Sequence, residues 1–469
     1  MEILLDKLKK YAQSDYYGFH MPGAKREATW VKTGLPYDLD ITEITGFDDL
    51  HHPTGLLLEM TKKATKLFAP DLKGVRSAIS VGGSTAGILA ALLACTQKGD
   101  EVLMARNCHK SVYHGVFLQE LRPIYIYPKL DTSSDILKPI SVNAVAKCLE
   151  ENPQIKVVVI TSPTYEGVVS DIKSLAALTK EKGIPLIVDE AHGAHLPFHT
   201  SFPPSALLEG ADLVVNSLHK TLPALTQTAL LHGQGERIDW DKVLFYLQLF
   251  QSSSPSYILL ASVDVCLQFL KTVAEVAFDG FVADLKKLRR ELVDLKHLKL
   301  IPDNDDISKL IISTKDTNIS GMELFTILHK RYQLELELAN HSYVLALASV
   351  SDTKEGFARL NAALKEVDAS LEVSPTLSEK KQLVYFPALK ICYNIADIFR
   401  LPKEAKEKKP LRKSMGSIGA EYVYLYPPGI PLLVPGEEIS MELVELLLAY
   451  EDRGYTLSGV EHGEILTLK

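Results

Sequence analysis

The segment PLIVDEAHGAHLPFH, residues 185–199, starts as an apolar run, turns acidic at Asp189 and continues through three histidines. Its Asp-Glu-Ala-His core has the form of a helicase nucleotide site, and the further histidines suggest a metal. Neither reading survives. A helicase needs a phosphate loop GxxxxGK[ST], whose lysine reaches the terminal phosphates, and the glycine-rich stretch GGSTAG (82–87) has no lysine. Zinc on His192, His195 and His199 would need a helix to align spacings of three and four, which Gly193 and Pro197 interrupt. No metal is therefore expected. What remains is a buried strand whose carboxyl end is polar.

The same rhythm extends in both directions. AISV (78–81), EVLMA (101–105), PIYIY (123–127), KVVVIT (156–161), PLIVDE (185–190), LVVNSL (213–218) and TALLH (228–232) read as strands. Helical patterns begin near Ser84, Lys110, Val142, Ile172 and, more briefly, Pro204. Strands apolar on both faces and separated by helices predict a parallel sheet covered on both sides. The gap HKTLPALTQ (219–227) is too short for a helical crossover, so the seventh strand runs antiparallel to the sixth. The fold class is α/β, a mostly parallel seven-stranded sheet. From about residue 280 helices mix with short strands (298–302, 309–314, 343–349), giving a smaller α+β C-terminal domain. The expected division is an N-terminal arm 1–55, a large domain 56–280 and a C-terminal part 281–469. YPPGIPLLVPGE (426–437) is expected to be rigid and packed. LPKEAKEKKPLRKS (401–414), with six Lys/Arg against two Glu, reads as a solvated loop, or alternatively as an anion-binding patch.

Bulk properties bound the partners. A net charge of −8 and a pI of about 6.0 argue against a broad nucleic-acid-binding face. The five cysteines are scattered and form no CxxC pair, which points to reduced thiols in a cytoplasmic protein. MEILLDKLKKYAQ (1–13) mixes Ile3, Leu4 and Leu8 with charges, as an amphipathic helix does and a signal peptide does not. Residues 77–97 lack charge over a membrane-spanning length, yet 82–85 interrupt them with turn chemistry. A strand followed by a packed helix is the better reading, and no membrane is expected.

Ligands bind beyond the carboxyl ends of such strands, where this chain places 82–85, 107–110, 161–165, 189–192 and 217–220. Lys220 follows a buried strand, where an amine is costly unless paired, titrated or covalently engaged. A partly desolvated lysine is also nucleophilic enough for Schiff-base chemistry. GGSTAG opens a helix with backbone amides and the Ser84 and Thr85 hydroxyls, suiting a phosphate. Asp189 could keep a pyridine nitrogen protonated, and His109 could stack on the ring. Phosphate cradle, carboxylate, aromatic and lysine are the parts that pyridoxal 5'-phosphate requires.

Taken in order, HMPG (20–23), DITEITGFDDLHHPTG (40–55), GGSTAG, RNCHKS (106–111), TSPTYEG (161–167), VDEAHGAH (188–195), SLHKTLPALTQ (217–227), SSSPSY (252–257) and YPPGIPLLVPGE resemble the Orn/Lys/Arg decarboxylase family. That family has the aspartate-aminotransferase-like fold, fold type I of the pyridoxal-phosphate enzymes. The chain looks like its compact bacterial form, with no room for the extra N-terminal domain of the inducible relatives. The resemblance implies that Lys220 holds the cofactor aldehyde as a Schiff base and Asp189 pairs with the pyridinium. His109 would stack on one ring face with Ala191 against the other, and Ser84, Thr85, Ser217 and His219 would hold the phosphate. Ser252, Ser253 and Ser254 would approach the neighbouring subunit's phosphate in a homodimer or higher even oligomer. His192 takes the place of a tryptophan of the large relatives, and Glu337 matches an acidic position suited to the substrate's distal cation. Ala24, Glu166 and Ser417 depart from the pattern, outside the lysine–aspartate–histidine–phosphate set.

The expected reaction is decarboxylation of arginine, lysine or ornithine to a polyamine precursor. Reaction choice rests on which Cα bond stands perpendicular to the cofactor ring, and His192 or Lys220 must then return a proton to Cα. An aminotransferase on the same fold would instead clamp the α-carboxylate with a bidentate arginine, for which Arg359 and Arg400 are candidates. A non-catalytic relative is the third reading, against which the intact Lys220 and Asp189 speak.

Overall fold

Strands form where the β-branched and aliphatic runs lie, in a computed structural model that describes residues 2–17, 19–26, 34–302, 304–373, 386–425, 429–453, 455 and 457–469. The seven strands are Arg76–Ser80, Glu101–Ala105, Arg122–Ile126, Ile155–Thr161, Leu186–Asp189, Leu213–Ser217 and Ala229–Gly233. Their spatial order is first, seventh, sixth, fifth, fourth, second, third. The seventh pairs antiparallel with the first and sixth, while the others pair in parallel. Ser217 opposes Ala229, so the chain reverses within the short 218–228 connection, as its length requires.

Burial follows the lack of polar faces. All five residues of Leu213–Ser217 are buried, and helix Gly83–Cys95 is apolar on every side, with 86–93 buried. Gly87 lets that helix approach the sheet: a Cβ there would lie 2.9 Å from Val215 Cγ1. Hydroxyl and carboxylate caps begin the flanking helices, Ser141 for Val142–Glu151 and Asp171 for Ile172–Glu181. The uncharged window 77–97 is thus a strand and a buried helix, and among the described residues no single helix is long and apolar enough to cross a membrane.

Two expectations are corrected. The brief helix near Pro204 is only a turn over 206–210. Glu190 takes the Ala206 amide at 2.6 Å and the Ser205 hydroxyl at 3.0 Å, and Gly210 ends the turn at φ +98°. The basic stretch 401–414 is not a loop either: Lys406–Pro410 is an edge strand paired with Glu464–Leu468. Two of its lysines are ion-paired, Lys408 with Glu461 at 2.6 Å and Lys409 with Glu407 at 3.2 Å. Charged residues are the usual protection of an exposed sheet edge.

Beyond the large sheet, helix Ala274–Leu292 runs through position 280 and leads to an antiparallel sheet ordered Lys299–Leu300, Lys309–Ser313, Tyr343–Leu347, Leu338–Ala339. Two three-stranded sheets and helix Met441–Asp452 follow. The first three residues of YPPGIPLLVPGE, 426–428, lie outside the described residues; Ile430–Leu433 is a strand. Arg106 anchors it. Its fully buried guanidinium donates to Tyr113 Oη at 2.8 Å, Pro431 O at 2.6 Å and Leu432 O at 3.2 Å, and pairs with Glu437 at 3.3 Å. The C-terminal segment is thereby fastened to the rim of the large sheet.

Candidate active site

Parallel strands send their carboxyl ends to one edge, and the polar residues that follow them meet there. Ser84, His109, Asp189, Ala191, His192 and Lys220 line a single cleft enclosing about 650 Å³, its open mouth included. Strand alternation separates the acidic pair: Asp189 faces the cleft, while Glu190 turns inward to Ser205, Ala206 and Asn216. Burial pushes the Glu190 carboxyl up to about 7.

Lys220 sits on the single helical turn Leu218–Thr221, whose Leu218 and Thr221 are buried and hold it in place. Its Nζ lies 3.0 Å from His192 Nε2 and 5.9 Å from the centre of the Tyr165 ring. Burial lowers the affinity of this amine for its proton, against the pull of Asp189 and Glu337. The same burial raises Asp189, with Lys220 and the Ala191 amide opposing. Burial together with Lys220 and Lys309 holds His192 well below the usual imidazole range, so the ring is neutral. His192 Nε2 faces the amine, while its Nδ1 is buried without a hydrogen-bond partner among the described residues.

His109 is fixed by its own helix. It is the N-cap of Lys110–Leu118, where Nδ1 accepts the Ser111 amide at 3.2 Å and lies 2.9 Å from Ser111 Oγ. Burial, Lys220 and Lys110 push it down to about 4, leaving a neutral flat ring at the cleft wall.

Other predicted residues stand apart from this lining. Thr85 is exposed at the start of helix Gly83–Cys95, and His219 Nδ1 donates to Thr228 O at 3.1 Å. Ser252 and Ser253 are exposed, and Ser254 donates to Glu43 at 3.3 Å. Glu337 is exposed and accepts the Tyr165 hydroxyl at 2.9 Å. The three histidines part company: His192 meets Lys220, His195 meets Asp306 at 3.2 Å and His199 meets Asp279 at 3.3 Å. Arg359 is bound to the backbone carbonyls of Tyr332 and Gln333, and Arg400 to Glu120. Among the described residues that line the cleft, none is arginine.

Several lining residues had no role assigned from sequence. Thr161 ends the fourth strand and Thr164 and Tyr165 follow it, Asn107 follows the second, and Leu137 and Ile430 form an apolar wall from distant segments. Tyr165 packs on His192 at 4.3 Å between ring centres. Of the three departures, Ala24 is half-buried and Ser417 accepts from Lys409 at 3.0 Å. Glu166, expected to lie outside the lysine–aspartate–histidine set, lines the same cleft.

Pyridoxal phosphate fits these residues. Ser217 Oγ and Asn107 Oδ1 are buried with no hydrogen-bond partner among the described residues. Each such atom costs about 1–3 kcal/mol, which a polar ligand recovers. Gly83, at φ +72°, opens the neighbouring helix N-terminus in a conformation closed to most side chains.

Fold and cleft together define a pyridoxal-phosphate enzyme of fold type I. Residues 3–353 match the major domain and residues 385–464 the C-terminal domain of Orn/Lys/Arg decarboxylase, and the chain belongs to that family. An uncharacterised Bacillus subtilis protein, YaaO, is 33% identical over 95% of this chain and 93% of its own length. The arginine decarboxylase of Halalkalibacterium halodurans is 30% identical over 98% and 95%. Escherichia coli constitutive lysine decarboxylase superposes with a TM-score of 0.85 at 18% identity, covering 99% of this chain and 82% of that one.

Proposed function

We propose that this enzyme removes the α-carboxylate of a basic L-amino acid (arginine, lysine or ornithine) as CO₂, leaving agmatine, cadaverine or putrescine. The observation behind this is the half-buried Lys220 amine, 3.0 Å from a neutral His192 and in one cleft with Asp189 and His109. Lys220 would hold the cofactor, Asp189 its ring nitrogen, and His109 and Ala191 its two faces. Ser84, Thr85, Ser217 and His219 would hold its phosphate. When bound, pyridoxal phosphate supplies a ring that accepts the electron pair left at Cα. The chain's own residues do the rest. Burial keeps the Lys220 amine ready to lose its proton, and His192 Nε2, 3.0 Å away, would take that proton or return one to Cα. Tyr165, packed on His192, screens this pair from water.

The shared-site reading is part of the same proposal. Leu244, Phe245 and Leu249 are 42%, 57% and 59% exposed on helix Trp240–Leu249, just before Ser252. Such an apolar face suits a second copy, whose phosphate the three serines would approach. All five cysteines are free, in keeping with a cytoplasmic enzyme of polyamine biosynthesis.

Assaying CO₂ release from arginine, lysine and ornithine tests the reaction, and release from none of them rejects it. Lys220→Ala should abolish turnover and the visible absorption of the bound aldehyde; wild-type activity in that variant ends the mechanism. Co-expressed Lys220→Ala and serine-segment variants should regain activity if subunits share the site, and purely additive activity argues against sharing.

A further inference from the structure

One carboxylate in the cleft is used by none of these roles. Glu166 directly follows Tyr165, is only 8% exposed and lines the same cleft as Lys220. Its Oε1 accepts the Tyr343 hydroxyl at 2.9 Å, and its peptide oxygen accepts Asn304 Nδ2 at 3.2 Å. The next residue, Gly167, has φ +84°, and a Cβ there would lie 2.7 Å from Lys309 Cγ, so the backbone is pinned against the small-domain sheet. Among the described residues no hydrogen bond or ion pair satisfies Glu166 Oε2.

Glu337 is placed differently. It is exposed, does not line the cleft, and already holds the Tyr165 hydroxyl. Its charge is felt at Lys220, the reacting end. An exposed carboxylate gains little from an ion pair, whereas one in a water-poor cleft gains much more.

We propose that Glu166, rather than Glu337, receives the distal cation of the substrate, ammonium or guanidinium; the proposal rests on the basic-amino-acid reading above. A neutral side chain of equal length leaves the carboxylate unpaired, which is the source of the discrimination.

The test is titration calorimetry of the holoenzyme with agmatine, cadaverine and putrescine, each against a monoamine of similar length without the distal charge, n-pentylamine or n-butylamine. Wild type should prefer its best cationic amine by about 10- to 100-fold, the range of a charge-assisted hydrogen bond. Glu166→Gln, which can keep the Tyr343 contact, should erase that preference and raise KM more than it lowers kcat. Glu166→Asp keeps the charge and should retain part of the preference, while Glu337→Gln should keep the cation-over-monoamine preference within about threefold of wild type, whatever it does to turnover. A preference that persists in Glu166→Gln, a larger loss in Glu337→Gln, or no preference in wild type overturns the assignment. CO₂ release by the wild type reads the proposed reaction separately, so the two can fail independently.

Discussion

Replacing Asp306 by asparagine probes the join between the two larger sheets. Asp306 and Lys309 are both 0% exposed. Lys309 Nζ lies 2.9 Å from Asp306 Oδ2, an ion pair whose angle does not make it a hydrogen bond. The other oxygen, Oδ1, takes His195 at 3.2 Å, the Ser308 hydroxyl at 2.7 Å and the Ser308 amide at 3.0 Å. Burial opposes the charge, yet Lys309 and His195 hold this carboxyl far below the usual range. Asp306→Asn leaves the Lys309 ammonium buried with nothing opposite, a loss of about 3–5 kcal/mol for breaking a buried pair. Lys309→Met strands the carboxylate instead. The double variant should be no less stable than the milder single one, because no lone charge remains. Urea unfolding of the apo chain, read at its first cooperative transition, measures all three. Because the folded pKa is depressed, the pair's contribution is complete above the unfolded value of about 3.9 and is lost as pH falls below it. The gap between wild type and Asp306→Asn should therefore narrow in acid. A single-variant loss under about 1 kcal/mol, or additive losses in the double variant, refutes the reasoning.

Acid should weaken the fold before the carboxylates titrate, because burial pushes His232 down to about 3 and only its unfolded form gains a proton between about pH 6.5 and 3. His232→Gln should flatten the Tm–pH curve over that window, and an unchanged slope would exclude this cause. Gly87→Ala should cost about 1–3 kcal/mol by overpacking, despite its better helix propensity, and thermal melts should show partial rescue by Val215→Ala. Arg106→Met strands Glu437 and releases the carbonyls of Pro431 and Leu432, so limited proteolysis should cut the C-terminal segment faster than in wild type.

Where the structure follows from local pattern, the sequence already shows it. Seven apolar runs became seven strands, and the 219–227 gap was short enough to require the reversal seen between the sixth and seventh. Parallel order then makes the rim legible: Ser84, His109, Asp189 and Lys220 each follow a different strand and converge because strand ends do. What stayed hidden depends on partners far along the chain. Arg106 reads as an ordinary residue after a strand until Pro431 and Glu437, more than 300 positions later, close around it. Glu166 reads as one substitution in a loop until Tyr343, 177 positions later, donates to its carboxylate. Lys406–Pro410 has the charge density of a loop in sequence yet folds as a strand, because charge density alone cannot separate solvated coil from a guarded sheet edge. The turn at 206–210 likewise depends on Glu190, a residue of another strand, taking the amide that a helix would use. Local pattern therefore sets the rim and its reactive groups, while the far wall, where a substrate's side chain would be read, is assembled by tertiary contacts. Specificity can shift on this scaffold through residues such as Glu166 without disturbing the strands that position Lys220.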